Sequence, residues 1–599
     1  MNSKALKTNL LLIFFAYCST WALPYAMESG DSALRFSNHI LSLVCLIAIS
    51  FFFIKTWPKL NKRILTVSLI FGAVFACMLI FGSQLALNDS IKWTSPLTWL
   101  SITAFAPFMA ALLANILIYY DKFLLFLQKA DTRITRIFKT EKLLFLCLWG
   151  IFFFVWFIGL LAAFPGIYAY DSIFQVNYVQ TSQMSAHHPV LHTYWLYGCI
   201  HLGQTVFKSA ETGLLIYSLT QMLLLSGILA YILKKLWDRL PKIVILFFAC
   251  CFAFLPYNIL FSFSATKDVI FSGIFALLIL KTYERIKSPE IYFKSFRKQA
   301  DYVFWLFLLC AFRNNGIYAI CFMVPFLLFF FRRYWKQTAF SIFALFLLWG
   351  LYTGPVYSAL HIEKGSSAEM LSVPMQQMAR SLMTVPERFT QEEREQIAEY
   401  IPDYEKYSSK ISDYIKDTFN AEKFNEDKAA FIKLWIVCGL KAPDVYLDAW
   451  CSISSGNWYP CEDYPLPDAW HPYIMYDNYT PDDGYGADYL WIERSSYIPA
   501  LSYLLRGFAL SGAHQYFPAV SMFFSPGIGF WVLLVGVAIC INKKSYRAFV
   551  PFSLMFGLWV TMMLGPIALL RYTYPLMLSV PVVMAICRET NAKYNDYNL

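Results

Sequence analysis

A polar stretch with one carboxylate interrupts an otherwise apolar chain. The stretch, FPGIYAYDSIFQVNYVQTSQMSAHHPVLHTYW at 164–195, carries Asp171 together with three of the chain's eight histidines. Asp171 is the only acid between Glu141 and Glu211. A carboxylate held beside a hydroxyl group can act as a general base, and a carboxylate ahead of SIFQ can equally cap a helix. The residues leave both roles open.

The histidines of this stretch suit loop architecture better than a metal site. His188 and His192 are four residues apart, a spacing that on one helix could present two ligands to a metal ion. The sequence offers no clear third ligand. We therefore predict no metal site here and interpret His188-Pro189 as a loop element in which His188 makes hydrogen bonds.

The composition indicates the class of protein. Of the 599 residues, 58% are hydrophobic and 15% are charged, whereas soluble proteins carry roughly 25% charged residues. Apolar runs of about 18 residues or more, long enough to cross a bilayer, recur along the chain. The formal charge of +10 comes from basic loops between these runs, so it does not indicate a nucleic-acid partner. The sequence predicts an all-α polytopic membrane protein.

The basic loops also predict a topology. Lys and Arg concentrate in cytoplasmic loops, which places 122–142 and 234–242 inside and Asp171 outside. An odd number of crossings must then separate Asp171 from the second loop. Two apolar candidates lie between them, so we interpret 190–206 as a helix in the external membrane interface and 213–233 as the crossing. Alternation along the chain gives about fourteen spans with both termini cytoplasmic.

The region 358–511 is predicted to be an extracytoplasmic soluble domain, mainly helical and loop-rich. TQEE at 390–393 fits a helix-capping box. Residues 442–493 contain ten acids, no Lys or Arg, and many aromatic residues. Aromatic faces beside acidic acceptors are suited to sugars, which makes Trp458 and Tyr459 candidate acceptor-binding residues. Such rings can equally build a core or lie at the lipid interface.

Two further features of this domain stay open from the sequence. The acidic segment DNYTPDDGYGAD at 477–488 could bind calcium through its carboxylates, although its spacing is not that of an EF-hand loop. Cys451 and Cys461 could form a disulfide if the domain is extracytoplasmic.

The predicted topology brings several ionisable side chains to one side of the membrane, where such groups are usually functional. They are Asp171, His188, Lys267, Asp268, Arg313 and Arg571. The carboxylates could deprotonate an acceptor hydroxyl, and the cations could bind a phosphate leaving group. The alternatives are structural. Lys267 and Arg571 could extend toward lipid headgroups, and Arg313 could cap a broken helix.

These residues resemble a known class of enzymes. The FPG…DS…Q pattern followed by HHPVLHT looks like the first external loop of GT-C glycosyltransferases, such as the protein O-mannosyltransferases. SATKD, FRNNG, SVPMQQMAR, SSGNWYP and RYTYP, in that order, are similar to an uncharacterised bacterial membrane family of unknown function assigned to the GT-C type. The resemblance covers roughly 145–587 of the chain.

The resemblance implies a division of the chain. A GT-C-like membrane core would occupy 121–357, with its catalytic loop at 164–206. The N-terminal four-helix region 1–120 has no counterpart in that class. The soluble domain 358–511 would be inserted before the C-terminal membrane helices 512–599, whereas many relatives carry it at the C-terminus.

The resemblance also implies an activity in the bacterial plasma membrane. An inverting enzyme would move a sugar from a polyprenyl-phosphate donor to an extracytoplasmic acceptor, such as an envelope glycan, a lipid or a protein. Asp171 would be the base, Asp268 the acid of the second external loop, and Arg571 a cation near the lipid phosphate. His188 would shape the loop. The charges of the residues themselves, apart from the resemblance, make His188, Lys267, Asp268, Arg313 and Arg571 the candidate residues for binding the substrate and the donor phosphate.

The same resemblance leaves the metal requirement and two other functions open. Better-studied members often carry paired acids where this chain has Asp171-Ser172, so a divalent cation is in doubt. A flippase or transporter of lipid-linked saccharides is one alternative, although transporters usually show internal repeats and none is visible here. A polymerase or ligase of cell-wall glycans is the other.

Overall fold

The computed structural model describes residues 3–27, 39–129, 131, 140–462, 474–481, 489–512, 517 and 520–588. Within these ranges the secondary structure is helical, and isolated β-bridges between loops are the only extended pairings. Helices are expected for this composition, because a backbone surrounded by lipid has to satisfy its hydrogen bonds within each segment. The chain is an all-α membrane protein, as predicted.

The helices before the soluble region fall into an N-terminal group and a core group. The N-terminal group is α1 (Ser3–Ala22), α2 (Ile40–Thr56), α3 (Lys62–Asn88) and α4 (Pro96–Gln128). The core group is α5 (Glu141–Ala162), α6 (Ser172–Gln180), α7 (Val190–Val206), α8 (Ala210–Leu236), α9 (Lys242–Phe254), α10 (Pro256–Ser262), α11 (Lys267–Lys287), α12 (Pro289–Phe293), α13 (Phe296–Phe312), α14 (Asn315–Phe330), α15 (Trp335–Leu351) and α16 (Tyr357–Ala359).

The remaining helices lie in the region 358–511, which the sequence predicts to be soluble and which is called the soluble region below, and in the segment 512–599 after it. The soluble region contains α17 (Ser372–Thr384), α18 (Gln391–Tyr400), α19 (Asp413–Lys416), α20 (Ala421–Glu426), α21 (Lys428–Lys441) and α22 (Pro443–Ser454). They are followed by α23 (Pro499–Ser511), α24 (Val520–Phe524), α25 (Ile528–Asn542), α26 (Phe549–Met563), α27 (Leu570–Leu578) and α28 (Val580–Arg588).

Nine helical segments of the described chain are long and apolar enough to cross a membrane, and α9 with α10, bent by 58°, would make a tenth. The other predicted crossings coincide with four helices that are shorter or carry charges near their ends, namely α11, α13, α14 and α25. The predicted interfacial segment 190–206 coincides with α7, which packs on α8 and α6. The count of fourteen therefore stays a prediction.

The soluble region divides between two hydrophobic cores. Its helices from α17 to α22 share a core of their own, built from apolar side chains between Ala368 and Tyr446. The predicted capping box is confirmed, because Thr390 and Glu393 satisfy each other's backbone N–H groups at the start of α18. Residues after α22, including Trp458 and Tyr459, join the core of the membrane helices instead.

The structure places Trp458 and Tyr459 in the interior. Trp458 donates its indole N–H to the hydroxyl of Ser454 over 3.3 Å. The ring of Tyr459 is fully buried and lies against Gly82 of α3, where any larger side chain would collide with it. The packing favours the core role that the sequence left as the alternative, and their role in acceptor binding stays a prediction.

The possible Cys451–Cys461 disulfide and the possible calcium site at 477–488 have different outcomes. Cys451 carries a free thiol in the described part of the chain, so no disulfide joins it to Cys461. Residues 482–488 of the acidic segment lie outside the described ranges, and the calcium prediction stays untested there. Among the residues that the structure does describe, no group of three or more His, Cys, Asp or Glu could hold a metal ion.

Candidate functional site

Backbone hydrogen bonds join two loops that are far apart in the sequence. The N–H of Ile167 donates to the carbonyl of Phe263 over 3.1 Å, and the N–H of Ala265 donates back to the carbonyl of Ile167 over 2.8 Å. The first loop leads into Asp171 and the second leads into Lys267. The pairing therefore brings a carboxylate and an ammonium group from different helix starts to one place.

A glycine allows the first loop to lie against α8. Gly166 has a φ of +139°, and a Cβ atom there would be 2.3 Å from the hydroxyl oxygen of Ser218. That hydroxyl donates to the carbonyl of Pro165 over 3.1 Å. The FPG motif thus has a steric purpose, because only glycine adopts this conformation at so close an approach.

The residue before the carboxylate has a left-handed backbone. Tyr170 has a φ of +56°, a conformation that costs a non-glycine residue of order 1–3 kcal/mol. Two bonds to Met475 hold it: the Met475 N–H donates to the phenol oxygen over 2.9 Å, and the Tyr170 N–H donates to the sulfur over 3.2 Å. The soluble region therefore helps to aim Asp171.

Asp171 forms ion pairs with two cations. Its Oδ2 is 2.7 Å from Nζ of Lys267 and 3.5 Å from Nη1 of Arg571. Lys267 Nζ also donates to Nδ1 of His188 over 3.1 Å. The ammonium group thus connects the carboxylate to the predicted His-Pro element.

Asp268 also forms ion pairs with two cations. Its Oδ1 is 2.8 Å from Nη1 of Arg313, and its Oδ2 is 3.6 Å from Nη1 of Arg571. Arg571 is therefore shared between the two carboxylates. We call the set Asp171, His188, Lys267, Asp268, Arg313 and Arg571 the ion-pair cluster; it comprises all the ionisable side chains singled out from the sequence on that side.

The two carboxylates of the ion-pair cluster differ in access. The side chain of Asp268 is 1% exposed, whereas that of Asp171 is 23% exposed and that of Lys267 is 15% exposed. An incoming molecule therefore reaches Asp171 and Lys267 first. Asp268 serves the interior of the cluster, where it neutralises the two guanidinium groups.

The cluster has an excess of positive charge and unused donors. Three cations face two carboxylates, which leaves one net positive charge when both acids are ionised. In the described part of the chain, Nε of the buried Arg571 has no hydrogen-bond acceptor, and its Nη1 approaches the two carboxylates only at 3.5 and 3.6 Å. Buried donors without acceptors are costly, and an anion bound beside Arg571 would satisfy them.

Neighbouring charges set the protonation states. Burial acts to raise the pKa of Asp171, but Lys267 and Arg571 outweigh it and hold that pKa well below its usual value. Burial and the charge of Lys267 hold the pKa of His188 well below its ordinary value, so the ring is neutral. Because Nδ1 accepts the ammonium proton, we assign the ring proton to Nε2.

The lowered pKa of Asp171 predicts the pH range over which the carboxylate stabilises the fold. Its folded pKa lies below the unfolded value, which is about 3.9, so the contribution is complete above that value and is lost as the pH falls through the folded pKa. We expect the difference in melting temperature between the wild type and Asp171→Asn to be constant from about pH 8 to pH 5 and to shrink below about pH 4. Thermal melts in detergent measure this difference in melting temperature. A difference that has already halved by about pH 6 would contradict the lowered pKa of Asp171.

The structure also decides among the alternatives that the sequence left open. Asp171 occupies the N-cap position of α6, yet its side chain makes no capping hydrogen bond. Arg313 ends α13, but its guanidinium pairs with Asp268. Lys267 and Arg571 turn toward carboxylates, so neither simply extends to the lipid headgroups. All four of these side chains form ion pairs within the cluster.

His192 has a different role from His188. Its ring is buried, with Nε2 2.8 Å from the hydroxyl of Tyr217 and Nδ1 3.1 Å from Oε1 of Gln175. Burial, with a smaller effect of Lys267, lowers its pKa to about 3. Both ring nitrogens are thus engaged in the packing of α6, α7 and α8, and the two histidines do not form a metal pair.

Two tyrosines belong to the site although the sequence did not single them out. The Arg571 guanidinium lies 4.5 Å from the ring centre of Tyr170 and 5.0 Å from that of Tyr572, and Arg313 lies 4.5 Å from Tyr572. Cation–π contacts hold a guanidinium while leaving its in-plane donors available. The sequence could have indicated both tyrosines, because each is next to a cluster residue in the chain.

Most of the chain matches a known protein family. Residues 178–598 match a family of unknown function (DUF6020). The matched range begins seven residues after Asp171 and includes the five other residues of the ion-pair cluster. No curated protein and no solved structure matches the chain.

Proposed function

The chain belongs to the DUF6020 family of unknown function, and we propose from its site that it is a membrane glycosyltransferase of the GT-C type. It would transfer a sugar from a polyprenyl-phosphate donor to an acceptor on the outer side of the plasma membrane. The fourteen spans and the cytoplasmic termini are part of this proposal, because they place the ion-pair cluster at the outer surface.

One observation supports the proposal above the others. The ion-pair cluster has a net positive charge and a buried Arg571 whose Nε and Nη1 lack hydrogen-bond acceptors in the described chain, next to helices long and apolar enough to span a membrane. A lipid phosphodiester combines the properties that this environment favours, an anionic group carried on an apolar chain. Asp171 and Lys267 are the more accessible side chains of the cluster, so a second reactant would approach from their side.

The proposed reaction is a single displacement. The acceptor hydroxyl oxygen attacks the anomeric carbon of the sugar, and its proton passes to a carboxylate oxygen of Asp171. The bond between the anomeric carbon and the phosphate oxygen breaks, and the electron pair leaves with polyprenyl phosphate. The phosphate gains negative charge in this step, which Lys267 and Arg571 stabilise. Attack opposite to the leaving group inverts the anomeric centre.

Donor binding would also activate the base. In the structure Lys267 and Arg571 hold the pKa of Asp171 low, and a carboxylate with so low a pKa is a weak base. A phosphate that binds the same two cations draws them away from the carboxylate and raises its pKa. The base would thus become effective when the donor is in place.

The role of Lys267 provides the direct test. We expect Lys267→Met to weaken binding of a polyprenyl-phosphate sugar by about 10- to 100-fold, because one charge-assisted hydrogen bond to the phosphate is lost. Purified protein in proteoliposomes is screened with polyprenyl-phosphate sugars, and both bound donor and released polyprenyl phosphate are measured. Lys406→Met is the matched control, since Lys406 is exposed on the soluble region and pairs only with Asp403 among the described contacts.

Two outcomes would reject the proposal. One is that no donor binds more weakly to Lys267→Met than to the wild type and the Lys406→Met control. The other is that a lipid-linked saccharide crosses the vesicle membrane without cleavage of its sugar–phosphate bond, which would establish a transporter. Growth of the product by many sugars would instead identify a polymerase that uses the same donor site.

A further inference from the structure

Helix α21 of the soluble region has two apolar faces. Phe431 and Cys438 on one face are buried in the soluble core. Ile432, Ile436 and Leu440 recur every four residues and form a second stripe, with between 48% and 78% of each side chain exposed. Residues four apart lie on one side of a helix, so the second stripe is a continuous apolar surface without a covering element in the described chain.

The charges of α21 suit an anionic surface. The helix contains three lysines and no acid. Lys441 is paired with Glu393 of α18, and Lys433 is exposed between the first two residues of the stripe. An apolar face accompanied by lysines is typical of helices that lie in the headgroup region of a bilayer. Lysines near such a surface add attraction to anionic lipids.

The next helix connects this stripe to the membrane region. Trp450 of α22 donates its indole N–H over 2.9 Å to the carbonyl of Met563, the last residue of a candidate span. Asp448 accepts from the N–H of Ile91, beyond the end of another span, over 3.0 Å. Leu447, between these anchors, is 42% exposed. Helix α22 therefore lies at the level where two spans end.

Helix α21 adjoins that level directly. A single residue, Ala442, separates it from α22, and Gly439 near its end lies against the ring of Tyr446. Leu440 and Leu447, on either side of this junction, are both exposed. Exposed apolar side chains this close to the ends of two spans favour lipid over a soluble partner.

We propose that the stripe of Ile432, Ile436 and Leu440 lies in the headgroup region of the bilayer and binds a phospholipid surface that contains anionic lipids. The soluble region is then held against the membrane at α21 as well as through its anchors to the spans. The proposal does not depend on the glycosyltransferase activity, because it concerns only how the region is seated.

Photochemical labelling from the stripe tests this seating. The full chain with Ile436→p-benzoylphenylalanine is reconstituted into vesicles of phosphatidylcholine and phosphatidylglycerol that contain a trace of an alkyne-tagged phospholipid. We expect irradiation to attach the tag to the monomer at least about fivefold more than in a Glu395→p-benzoylphenylalanine control, because only the stripe lies in lipid. Glu395 is exposed on α18 of the same soluble region.

A lipid-facing position calibrates the yield. Phe343 is 64% exposed on a candidate span, so the photoreactive residue there labels lipid whether or not the proposal is right. Strong labelling at that position with background labelling at Ile436 would overturn the proposal. A crosslinked dimer in place of a lipid adduct would also overturn it, because a second copy of the chain would then cover the stripe.

Discussion

Asp171→Asn is expected to lower the rate of sugar transfer by about 10²- to 10⁴-fold, the range that a general base contributes. The substitution keeps the size of the side chain and removes the group that accepts the proton of the acceptor hydroxyl. Binding of the donor should persist or become tighter, because the competing carboxylate near Lys267 and Arg571 is gone. The expected signature is therefore a loss in kcat without a matching rise in the KM for the donor.

The control for this variant is another Asp→Asn change of equal size. Asp444 forms an ion pair with Arg388 on the surface of the soluble region, and Asp444→Asn should transfer sugar at the wild-type rate. Transfer and donor binding are measured on the same proteoliposomes, with the amount of folded protein checked by size-exclusion chromatography. Full activity of Asp171→Asn would reject the mechanism, and a parallel loss of donor binding would reduce Asp171 to a structural counter-ion.

The sequence could identify the members of the ion-pair cluster because their chemistry conflicts with an apolar chain. Asp171 and Arg571 are conspicuous where charged residues are rare, and loop charges suffice to assign them to one side of the membrane. The helical character of 190–206 was predictable from its apolar run and agrees with the structure, whereas its location in the membrane interface stays a prediction. These conclusions need only composition and the order of segments along the chain.

The pairings within the ion-pair cluster were not predictable in the same way. Asp171 meets Lys267 because backbone bonds join Ile167 to Phe263 and Ala265, and backbone bonds carry no signature in residue type. Arg571 approaches both carboxylates through the packing of α27 on α11, nearly at the end of the chain. Such contacts depend on the whole fold, so local patterns do not contain them.

The burial of the predicted acceptor residues has a comparable cause. Trp458 and Tyr459 stand in an acidic, aromatic segment that is typical of sugar-binding surfaces. The structure instead packs Tyr459 against Gly82, a residue of the N-terminal helices. A gap on α3 that accommodates a ring is not visible from the segment itself, because it results from a glycine hundreds of residues earlier.

Asp268→Asn is expected to destabilise the fold by about 3–5 kcal/mol, the usual cost of removing one partner from a buried ion pair. Arg313 and Arg571 would both lose their interior carboxylate, and each is buried apart from 8% of its surface. The neutral amide cannot compensate two guanidinium groups, so the charge repulsion between them adds to their desolvation. The free energy of unfolding, measured by denaturant titration in detergent, gives the effect.

A double-mutant cycle separates pairing from simple loss of polar contacts. Arg313→Met removes the cation that lies 2.8 Å from Asp268, and in Asp268→Asn/Arg313→Met one of the uncompensated charges disappears with its partner. We expect the double variant to be more stable than the sum of the single effects predicts by about 1–3 kcal/mol, because contacting residues couple by this amount. The exposed pair Arg388–Asp444 should couple by less than about 1 kcal/mol in the same cycle. Additive effects at Arg313 and Asp268 would show that the buried carboxylate is not what neutralises Arg313, and the net charge assigned to the ion-pair cluster would then be wrong.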